Sequence, residues 1–298
     1  MSGSSPAIHP VGLDFLLPYL APHARFVARP DEADFILAMN SLEPGAAATL
    51  ADLRRYGRPL AWWTIEDPNA FESFLAQAAA ADVVFTTDAA CLDTYRRRLG
   101  HARVVWLPLA CAPELHHPVP LRLDATEFVL SANWYGNEAR QWAAETLVAP
   151  LVSAGHSLTL FCYQAFMWPA PYRQFWRGER SCRTSAEQYS YGRVVLGLNN
   201  QRSGMDGRAR TYMTSMRTFE ALACGKPFLA SHSDAYARLG FVNGEHMAWV
   251  ETPAETRAWS RRLLGPDGDR LAEAGREFVL AHHTYARRLS RIAETVVG

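Results

Sequence analysis

One segment in the second half of the chain combines phosphate-binding residue types with a spacing that predicts how they are held. It reads YMTSMRTFEALACGKPFLAS and spans residues 212–231. Thr214 or Ser215 suits the N-cap of a helix whose apolar residues run from Met216 to Ala223 with helical period. Gly225 follows, where a left-handed turn would end the helix before a strand. The free backbone N–H groups and the dipole of such a helix N-terminus attract a diphosphate.

Two charged side chains in this segment add binding groups to the helix N-terminus. Arg217, in the first turn, would clamp a phosphate through charge-assisted hydrogen bonds. Glu220, one turn further on, could accept hydrogen bonds from both hydroxyls of a ribose, as an acidic residue does in dinucleotide-binding folds. An ordinary amphipathic helix with a capping serine and a surface glutamate explains these features at least as well. Both interpretations stay open on the helix features alone.

The rest of the chain alternates strand-like and helix-like segments, which is the pattern of βα units that build parallel sheets. At 298 residues the chain suits two compact domains. The predicted strands are residues 34–39, 60–65, 82–86, 104–107, 127–132, 157–162, 194–198, 227–230 and 247–250. The predicted helices of the first half are residues 46–56, 69–80 and 89–99.

A proline-rich stretch at residues 108–120 separates the two halves. Because proline lacks a backbone donor and fixes φ, this stretch predicts an interdomain linker. The predicted fold is α/β, with Rossmann-like domains at residues 1–118 and 119–298 whose parallel sheets face a cleft. Apolar residues in the tail from about residue 269 have the spacing of a helical face, which predicts helices closing back toward the N-terminal domain.

Composition argues against several classes of protein. Thirty basic and thirty acidic residues cancel, so no global field would draw the protein onto nucleic acid. The five cysteines are odd in number and form no C-x-x-C pair, which argues against a disulfide framework and a zinc site. No leader-like segment opens the chain and no apolar run could span a bilayer. We therefore expect a cytoplasmic protein, and its oligomeric state stays open.

The phosphate-binding segment also resembles a motif of a known enzyme family. Residues 217–227, RTFEALACGKP, are similar to the donor-nucleotide motif of GT-B glycosyltransferases, and most of all to that of the family named after the spore-maturation protein CgeB. The resemblance continues in NGE at 243–245, in HTY at 283–285 with Arg288, and in WTIEDP at 63–68. It implies a GT-B fold and transfer of a sugar from a UDP- or dTDP-linked donor, a co-substrate, with no separate cofactor.

The resemblance implies a role for each polar residue of the helix. Glu220 would hold the ribose of the donor nucleotide. Ser215, Arg217 and the amide groups at the start of the helix around Met216 would hold its two phosphates. The loop after the first strand of the second domain, residues 131–137, would supply the facing wall.

Three polar residues in and after that loop are the next donor-binding candidates: Asn133, Asn137 and Arg140. In the related family 4 glycosyltransferases the equivalent loop and a nearby basic residue hold the diphosphate. Asn137 also suits a helix N-cap, and Arg140 also suits a solvated surface charge. These structural interpretations have equal weight.

One departure from the family 4 pattern leaves the stereochemistry of transfer open. The retaining enzymes carry a glutamate eight positions before the ribose glutamate, and that position is Tyr212 here. The polar loop at 199–208 follows a predicted strand and is placed to line the same cleft. Its Asp206 could hold a sugar hydroxyl, although a turn-forming aspartate before glycine explains it better.

Inverting transfer needs a general base, and two acidic residues are the catalytic candidates. Asp67 and Glu66 lie just past a predicted strand, where open α/β sheets place their ligand crevice, and Asp67 is the expected base. Asp67 could instead cap a helix that begins at Asn69. No histidine or cysteine pattern of a metal site is present, so we expect transfer without a metal, with protein groups neutralising the diphosphate.

Aromatic residues in both halves are interpreted mainly as packing. Residues 161–176 follow a strand of the second domain, and core or interface packing explains them best. The alternative is that Tyr163 or Phe166 stacks on the base of the donor. Phe71 and the Trp62-Trp63 pair are expected to help shape an acceptor site.

Two other functions are alternatives to sugar transfer. A non-catalytic binding or structural protein on the same fold would bind nucleotide weakly and show no turnover. A sugar-nucleotide epimerase would alter the donor sugar without an acceptor. The intact Glu220 and Arg217 favour an enzyme, and the resemblance favours transfer.

Overall fold

The computed structural model divides the chain into two compact units. The residues it describes are 5–39, 45–100, 103–134, 136–181, 183–199 and 212–298. Within these ranges the first unit holds the residues up to Leu109 and those from Tyr285 onward, and the second holds the residues from Ala110 to Thr284. Each unit has a parallel sheet of its own.

The first unit is built on six strands. They are β1 (Ala7–Val11), β2 (Arg25–Phe26), β3 (Phe35–Met39), β4 (Leu60–Thr64), β5 (Val83–Thr86) and β6 (Val104–Trp106). Their order is β2-β1-β3-β4-β5-β6, and all neighbours are parallel. The helices are α1 (Leu17–Leu20), α2 (Ala46–Leu53), α3 (Phe71–Ala79), α4 (Leu92–Leu99) and the C-terminal helix (Tyr285–Val297).

Strands β3 and β4 are buried from end to end, as expected for a parallel sheet covered on both faces. Trp62 and Trp63 are adjacent on β4 and therefore point to opposite faces of the sheet. Both are fully buried, and Phe71 at the start of α3 is buried as well. The expectation that these three shape an acceptor site was wrong, because they fill the core.

Strands β1 and β2 have no counterpart in the sequence-based prediction. Pro10 lies in β1 opposite Leu37, inside the sheet rather than at its edge. Proline within a central strand argues against a strand because it cannot donate to the ladder. The two residues of β2 are too few to show an alternating pattern.

The C-terminal helix packs on the first sheet through aromatic rings. The ring of Tyr285 stacks on that of Tyr19, with centroids 5.5 Å apart, and meets Trp63 edge-on at 6.4 Å. Nε of the buried Arg288 donates to the carbonyl oxygen of Pro108 at 2.7 Å. Tyr285 and Arg288 of the HTY-x-x-R residues thus hold this helix against its own unit.

The second unit also has six strands. They are β7 (Thr126–Ser131), β8 (Leu158–Phe161), β9 (Trp176–Gly178), β10 (Gly192–Gly197), β11 (Phe228–Ser231) and β12 (Ala248–Val250), all parallel in the order β12-β11-β10-β7-β8-β9. The helices are α5 (Glu138–Ala143), α6 (Ala149–Ser153), α7 (Ala170–Arg173), α8 (Ser185–Tyr189), α9 (Met216–Ala223), α10 (Ala235–Arg238), α11 (Pro253–Leu263) and α12 (Pro266–His282). Strand β9 is not predicted, because three residues at a sheet edge are too short for a recognisable period.

The described cysteines, Cys91, Cys111, Cys162 and Cys224, are buried free thiols. Among the helices that the structure describes, none combines the length and apolar character needed to cross a bilayer.

Candidate donor-binding site

In the second sheet the strand order reverses between β7 and β10. From β7 the chain adds β8 and β9 on one side, then returns to add β10, β11 and β12 on the other. In open parallel sheets, ligands bind outside the carboxyl ends of the strands at such a switch point. The loop after β7 and the segment after β10, which leads to α9, are therefore the segments to inspect.

Helix α9 has the predicted bounds. It begins at Met216 after the N-cap Ser215, and all eight of its residues are buried. It ends in a Schellman motif, in which the N–H of Gly225, at φ +66°, donates to Leu222 and that of Lys226 donates to Ala221. The predicted left-handed glycine is confirmed. The Ser215 side chain makes no capping hydrogen bond, so the structure leaves that part of the N-cap prediction unfulfilled.

Glu220 lies one turn inside α9 with only 1% of its surface exposed. The surface-glutamate interpretation is therefore wrong. The hydroxyl of Tyr189, at the end of α8, donates to Glu220 Oε2 at 2.7 Å. Oε1 lies 3.5 Å from Nε2 of His116 and, within the described part of the chain, has no donor in hydrogen-bonding geometry.

The tautomer of His116 follows from its other ring nitrogen. Nδ1 accepts a hydrogen bond from the backbone N–H of Ala112 at 3.0 Å, so in the neutral ring the proton is on Nε2, facing Glu220. Burial lowers the pKa of His116, and the negative charge of Glu220 opposes that shift. At neutral pH a neutral imidazole N–H therefore faces Oε1, and the carboxylate keeps its acceptor capacity.

Arg217 brings a buried positive charge beside the start of α9, with 6% of its surface exposed. Its Nη1 donates to the hydroxyl of Ser215 at 3.3 Å. Burial raises the pKa of Tyr236 to about 12, and the charge of Arg217 opposes this rise. The guanidinium of Arg217 therefore lies among the polar groups around the helix start and does not extend into solvent.

The three polar residues predicted after β7 all form hydrogen bonds with the main chain. Oδ1 of Asn133 accepts from the backbone N–H of Tyr163, which follows β8, at 2.9 Å. Oδ1 of Asn137 accepts from the backbone N–H of Arg140 at 2.8 Å and so caps α5. Nη1 of Arg140, whose residue is only 4% exposed, donates to the carbonyl of Leu198 after β10 at 3.0 Å. The N-cap interpretation of Asn137 is confirmed, and the solvated-charge interpretation of Arg140 is wrong.

Asn137→Ala should lower the free energy of unfolding by about 1 kcal/mol, because α5 loses its side-chain cap. Urea denaturation followed by circular dichroism measures the change. Asn69→Ala, at an exposed position, is the control and should shift the value by less than about 0.5 kcal/mol. Equal losses in the two variants would contradict the capping role.

A second polar group lies at the carboxyl ends of β10 and β11, where the predicted polar loop at 199–208 begins, but the contacts of Asn199 are not predicted by the sequence. The backbone N–H of Asn199 donates to the hydroxyl of Ser231, and its Nδ2 donates to the Ser231 carbonyl and the Tyr236 hydroxyl, both at 2.6 Å. Position after a predicted strand is the one signal that could have indicated Asn199. The remainder of the loop it opens, with Asp206, lies outside the described residues.

The two predicted catalytic acids sit differently in the first unit. Asp67 is fully buried, and its oxygens accept hydrogen bonds from Thr86 at 2.6 Å and Tyr95 at 3.1 Å. Helix α3 begins at Phe71 without a side-chain cap, so Asp67 does not cap it. Glu66 is exposed, and desolvation by the neighbouring protein raises the pKa of its carboxyl.

The aromatic segment after β8 is only partly a packing element. Phe161 and Trp168 are buried, but Tyr163 is 59% and Phe166 67% exposed. Core packing is therefore the wrong interpretation for Tyr163 and Phe166. The ring of Tyr212, at the position of the missing glutamate, lies 4.1 Å from the guanidinium of Arg238.

A family model described as glycosyl transferase-like matches residues 140–294, just over half of the chain. The chain belongs to the glycosyl transferase-like family. The matched residues include α9 and every strand of the second sheet except β7. No curated protein matches the chain.

Solved structures of glycosyltransferases resemble this member of the family. Sucrose-phosphate synthase from Thermosynechococcus elongatus gives a TM-score of 0.58 at 18% identity, over 94% of this chain and 76% of that chain. HepE from Anabaena, in complex with UDP and glucose, gives 0.58 at 16% over 95% and 82%. A glycosyltransferase from Rickettsia africae gives 0.58 at 11% over 97% and 96%. The predicted GT-B-like α/β fold with two parallel sheets is confirmed.

Proposed function

We propose that this chain transfers a sugar from a UDP- or dTDP-linked donor to an acceptor hydroxyl. Membership in the glycosyl transferase-like family supports the class of reaction. One observation carries the assignment of the site. Glu220 is a nearly fully buried carboxylate whose Oε1 has no donor in hydrogen-bonding geometry among the described residues. A buried acceptor of this kind is costly unless a ligand satisfies it.

In this proposal the ribose hydroxyls of the nucleotide donate to Glu220. The Tyr189 hydroxyl fixes Oε2 by a hydrogen bond, and Oε1 faces Nε2 of the neutral His116 ring at 3.5 Å without a hydrogen bond. A carboxylate oxygen has two lone pairs, so Oε1 can accept from a hydroxyl in addition. Holding the carboxylate in one orientation reduces the entropy that binding would otherwise lose.

The start of α9 would hold the diphosphate. During transfer the acceptor oxygen forms a bond to the anomeric carbon, the bond from that carbon to the diphosphate breaks, and the electron pair leaves with the diphosphate oxygen. The amide groups before and around Met216, the hydroxyl of Ser215 and the buried Arg217 would stabilise that charge. These groups make a metal unnecessary, and we propose metal-independent transfer.

The loop after β7 would complete the donor site. Asn133, Asn137 and Arg140 are fixed by hydrogen bonds to main-chain atoms after β8, in the first turn of α5 and after β10, respectively. Such anchoring holds a binding loop in place before the ligand arrives. The Nδ2 of Asn137, which is buried without an acceptor in the described residues, is the group we assign to a donor phosphate.

For the proton of the acceptor hydroxyl we propose Glu66 as the base. Of the two acids predicted there, Glu66 meets solvent, and its raised pKa suits proton uptake. Asp67, enclosed by Thr86 and Tyr95, would act by holding the end of β4 in place. The RTFEALACGKP motif further supports a place among the CgeB-like members of the family.

Thermal unfolding of the purified protein with UDP, dTDP, GDP and their sugars tests the proposal. UDP or dTDP should raise the melting temperature, because a ligand that binds only the folded state stabilises it. Glu220→Gln should bind the preferred nucleotide about tenfold to a hundredfold more weakly, since it loses charge-assisted hydrogen bonds to the ribose. The matched control is Glu187→Gln, at an exposed position on α8, which should bind as the wild type does.

Two results would overturn the site: no nucleotide shifts the melting temperature, or Glu220→Gln binds as tightly as the wild type. Mass spectrometry of donor sugars incubated with the protein tests the reaction. Release of nucleoside diphosphate supports transfer. A bound but unchanged donor would indicate a binding protein, and an isomerised sugar would indicate an epimerase.

A further inference from the structure

A cavity of about 360 Å³ opens in the first unit, away from the proposed donor site. Its walls include Arg54, Arg58, Arg103, Pro59 and Val296. Its size falls in the range of pockets that enclose small ligands. Three of its wall residues carry guanidinium groups, which determine the chemistry of the cavity.

The cavity carries a net positive charge. Its one acidic wall residue, Asp82, pairs with Arg54 at 3.0 Å and accepts from the backbone N–H of Leu60 at 2.8 Å. The negative charge of Asp82 therefore offsets the positive charge of Arg54, and the positive charges of Arg58 and Arg103 remain. Arg58 also acts on the carboxylate of Asp31, but that group is paired with Arg29 at 2.6 Å.

Main-chain carbonyls hold the guanidinium groups in place. Nη2 of Arg58 donates to the carbonyl of Asp31 at 2.6 Å, and Nη2 of Arg103 donates to the carbonyl of Thr295 at 2.7 Å. A guanidinium has five N–H groups, so one such bond leaves others to reach a ligand. Because the two side chains are already ordered, binding loses less conformational entropy.

The position of the cavity in the sheet separates it from the substrate crevice. Pro59, Asp82 and Arg103 each come directly before a strand, namely β4, β5 and β6. The amino ends of three adjacent parallel strands meet at one edge, whereas open α/β sheets bind substrates at the carboxyl edge. A ligand here would be an effector or a second binding group rather than the reacting sugar.

We propose that this cavity binds a small phosphate-bearing molecule. The phosphate contacts Arg58 and Arg103, which match its geometry through paired N–H donors. The remainder of the ligand rests on the apolar wall of Pro59 and Val296. A concave site of this volume selects a small anion over an extended polyanion. The site stands independently of the proposed function.

Hydrogen–deuterium exchange of the full chain, with and without inorganic pyrophosphate at low ionic strength, tests the proposal. Pyrophosphate should protect the backbone around Pro59, Asp82 and Arg103. The double variant Arg58→Gln/Arg103→Gln keeps a donor for each carbonyl but removes both charges, and it should bind about tenfold more weakly or worse. Arg55→Gln is the matched control, because Arg55 is one residue from Arg54 but contacts Tyr56 rather than the cavity.

The protection around the cavity should persist in Arg217→Gln, which removes a charge assigned to the diphosphate near α9 and so separates the two sites. Absence of protection at millimolar pyrophosphate would overturn the proposal. So would an equal loss of affinity in Arg55→Gln, because it would indicate a diffuse basic surface. Protection by anionic lipid vesicles in place of pyrophosphate would overturn it as well, by assigning the arginines to a membrane surface.

Discussion

Gly275→Ala is expected to lower the free energy of unfolding by about 3 kcal/mol. A Cβ at Gly275 would lie 2.2 Å from the carbonyl oxygen of His246 and 2.7 Å from Cδ2 of Leu222 on α9. The end of the leucine side chain can rotate away, but the carbonyl belongs to the backbone and can move only at a larger cost in free energy. In a free helix, alanine would stabilise the helix by about 1 kcal/mol relative to glycine. The destabilisation from the clash is larger, so the variant is expected to be less stable than the wild type. Glycine at this position lets α12 pack closely against α9.

Urea denaturation at neutral pH measures the loss. Gly265→Ala is the matched control, since it lies just before the same helix and its added Cβ would meet no atom closer than 3.6 Å. That variant should change stability by less than about 1 kcal/mol, the usual range for an unfavourable N-cap residue. A Gly275→Ala protein as stable as the control would show that α12 and α9 can separate freely. Because α9 carries Glu220, we also expect Gly275→Ala to weaken nucleotide binding.

Helix α9 shows what local sequence can predict. Its start at Met216, its end at Ala223 and its left-handed Gly225 all follow from capping residues and period, which act over a few neighbouring residues. The strands after which Asn133 and Asn199 lie are predictable for the same reason. Apolar runs with turn residues between them identify buried parallel strands without any knowledge of their partners.

The surroundings of Glu220 could not be predicted in this way. Tyr189 lies 31 residues before Glu220 in the chain, and His116 belongs to a stretch interpreted only as a linker. Neither residue carries a local signal that it contacts a carboxylate. A helix pattern also does not distinguish a glutamate on the surface from one turned into the protein. Burial of Glu220 is decided by which elements cover α9.

The same limit explains the misassigned tryptophans of the first unit and also applies to a glycine of the second unit. Trp62 and Trp63 are expected from the sequence to help shape an acceptor site, yet a strand covered on both faces buries both. Gly275 sits in a helical pattern where glycine would be read as a weak point. Its function depends on the carbonyl of His246, which the sequence places far away. Close packing between elements is therefore the part of this fold that local patterns leave undetermined.

Asp67→Asn is expected to remove a pH dependence of stability between about pH 4 and pH 6. Burial raises the pKa of Asp67 from 3.8 to about 6, hydrogen bonds from Thr86 and Tyr95 partly oppose the rise, and the charge of Asp88 adds to it. The folded protein therefore binds this proton more tightly than the unfolded chain. The stability that the protonated carboxyl contributes is complete below pH 3.8 and is lost as the pH rises through about 6. The shift corresponds to about 3 kcal/mol.

Other carboxyls affect stability with the opposite sign at the acid end of this window and below it, so the variant must be compared with the wild type at each pH. The pKa values of Asp31 and Asp124 are lowered by their arginine partners, and their stabilisation is lost as the pH falls. The difference between wild type and Asp67→Asn cancels these contributions, because asparagine changes only the buried group. Urea denaturation at pH 4, 5, 6 and 7 should show the variant gaining about 3 kcal/mol relative to the wild type across the series. Asp52→Asn, at an exposed position, is the matched control. A difference for Asp67→Asn that stays constant from pH 4 to pH 7 would mean that the pKa of the buried carboxyl equals that of the unfolded chain, with the hydrogen bonds from Thr86 and Tyr95 offsetting the cost of its burial.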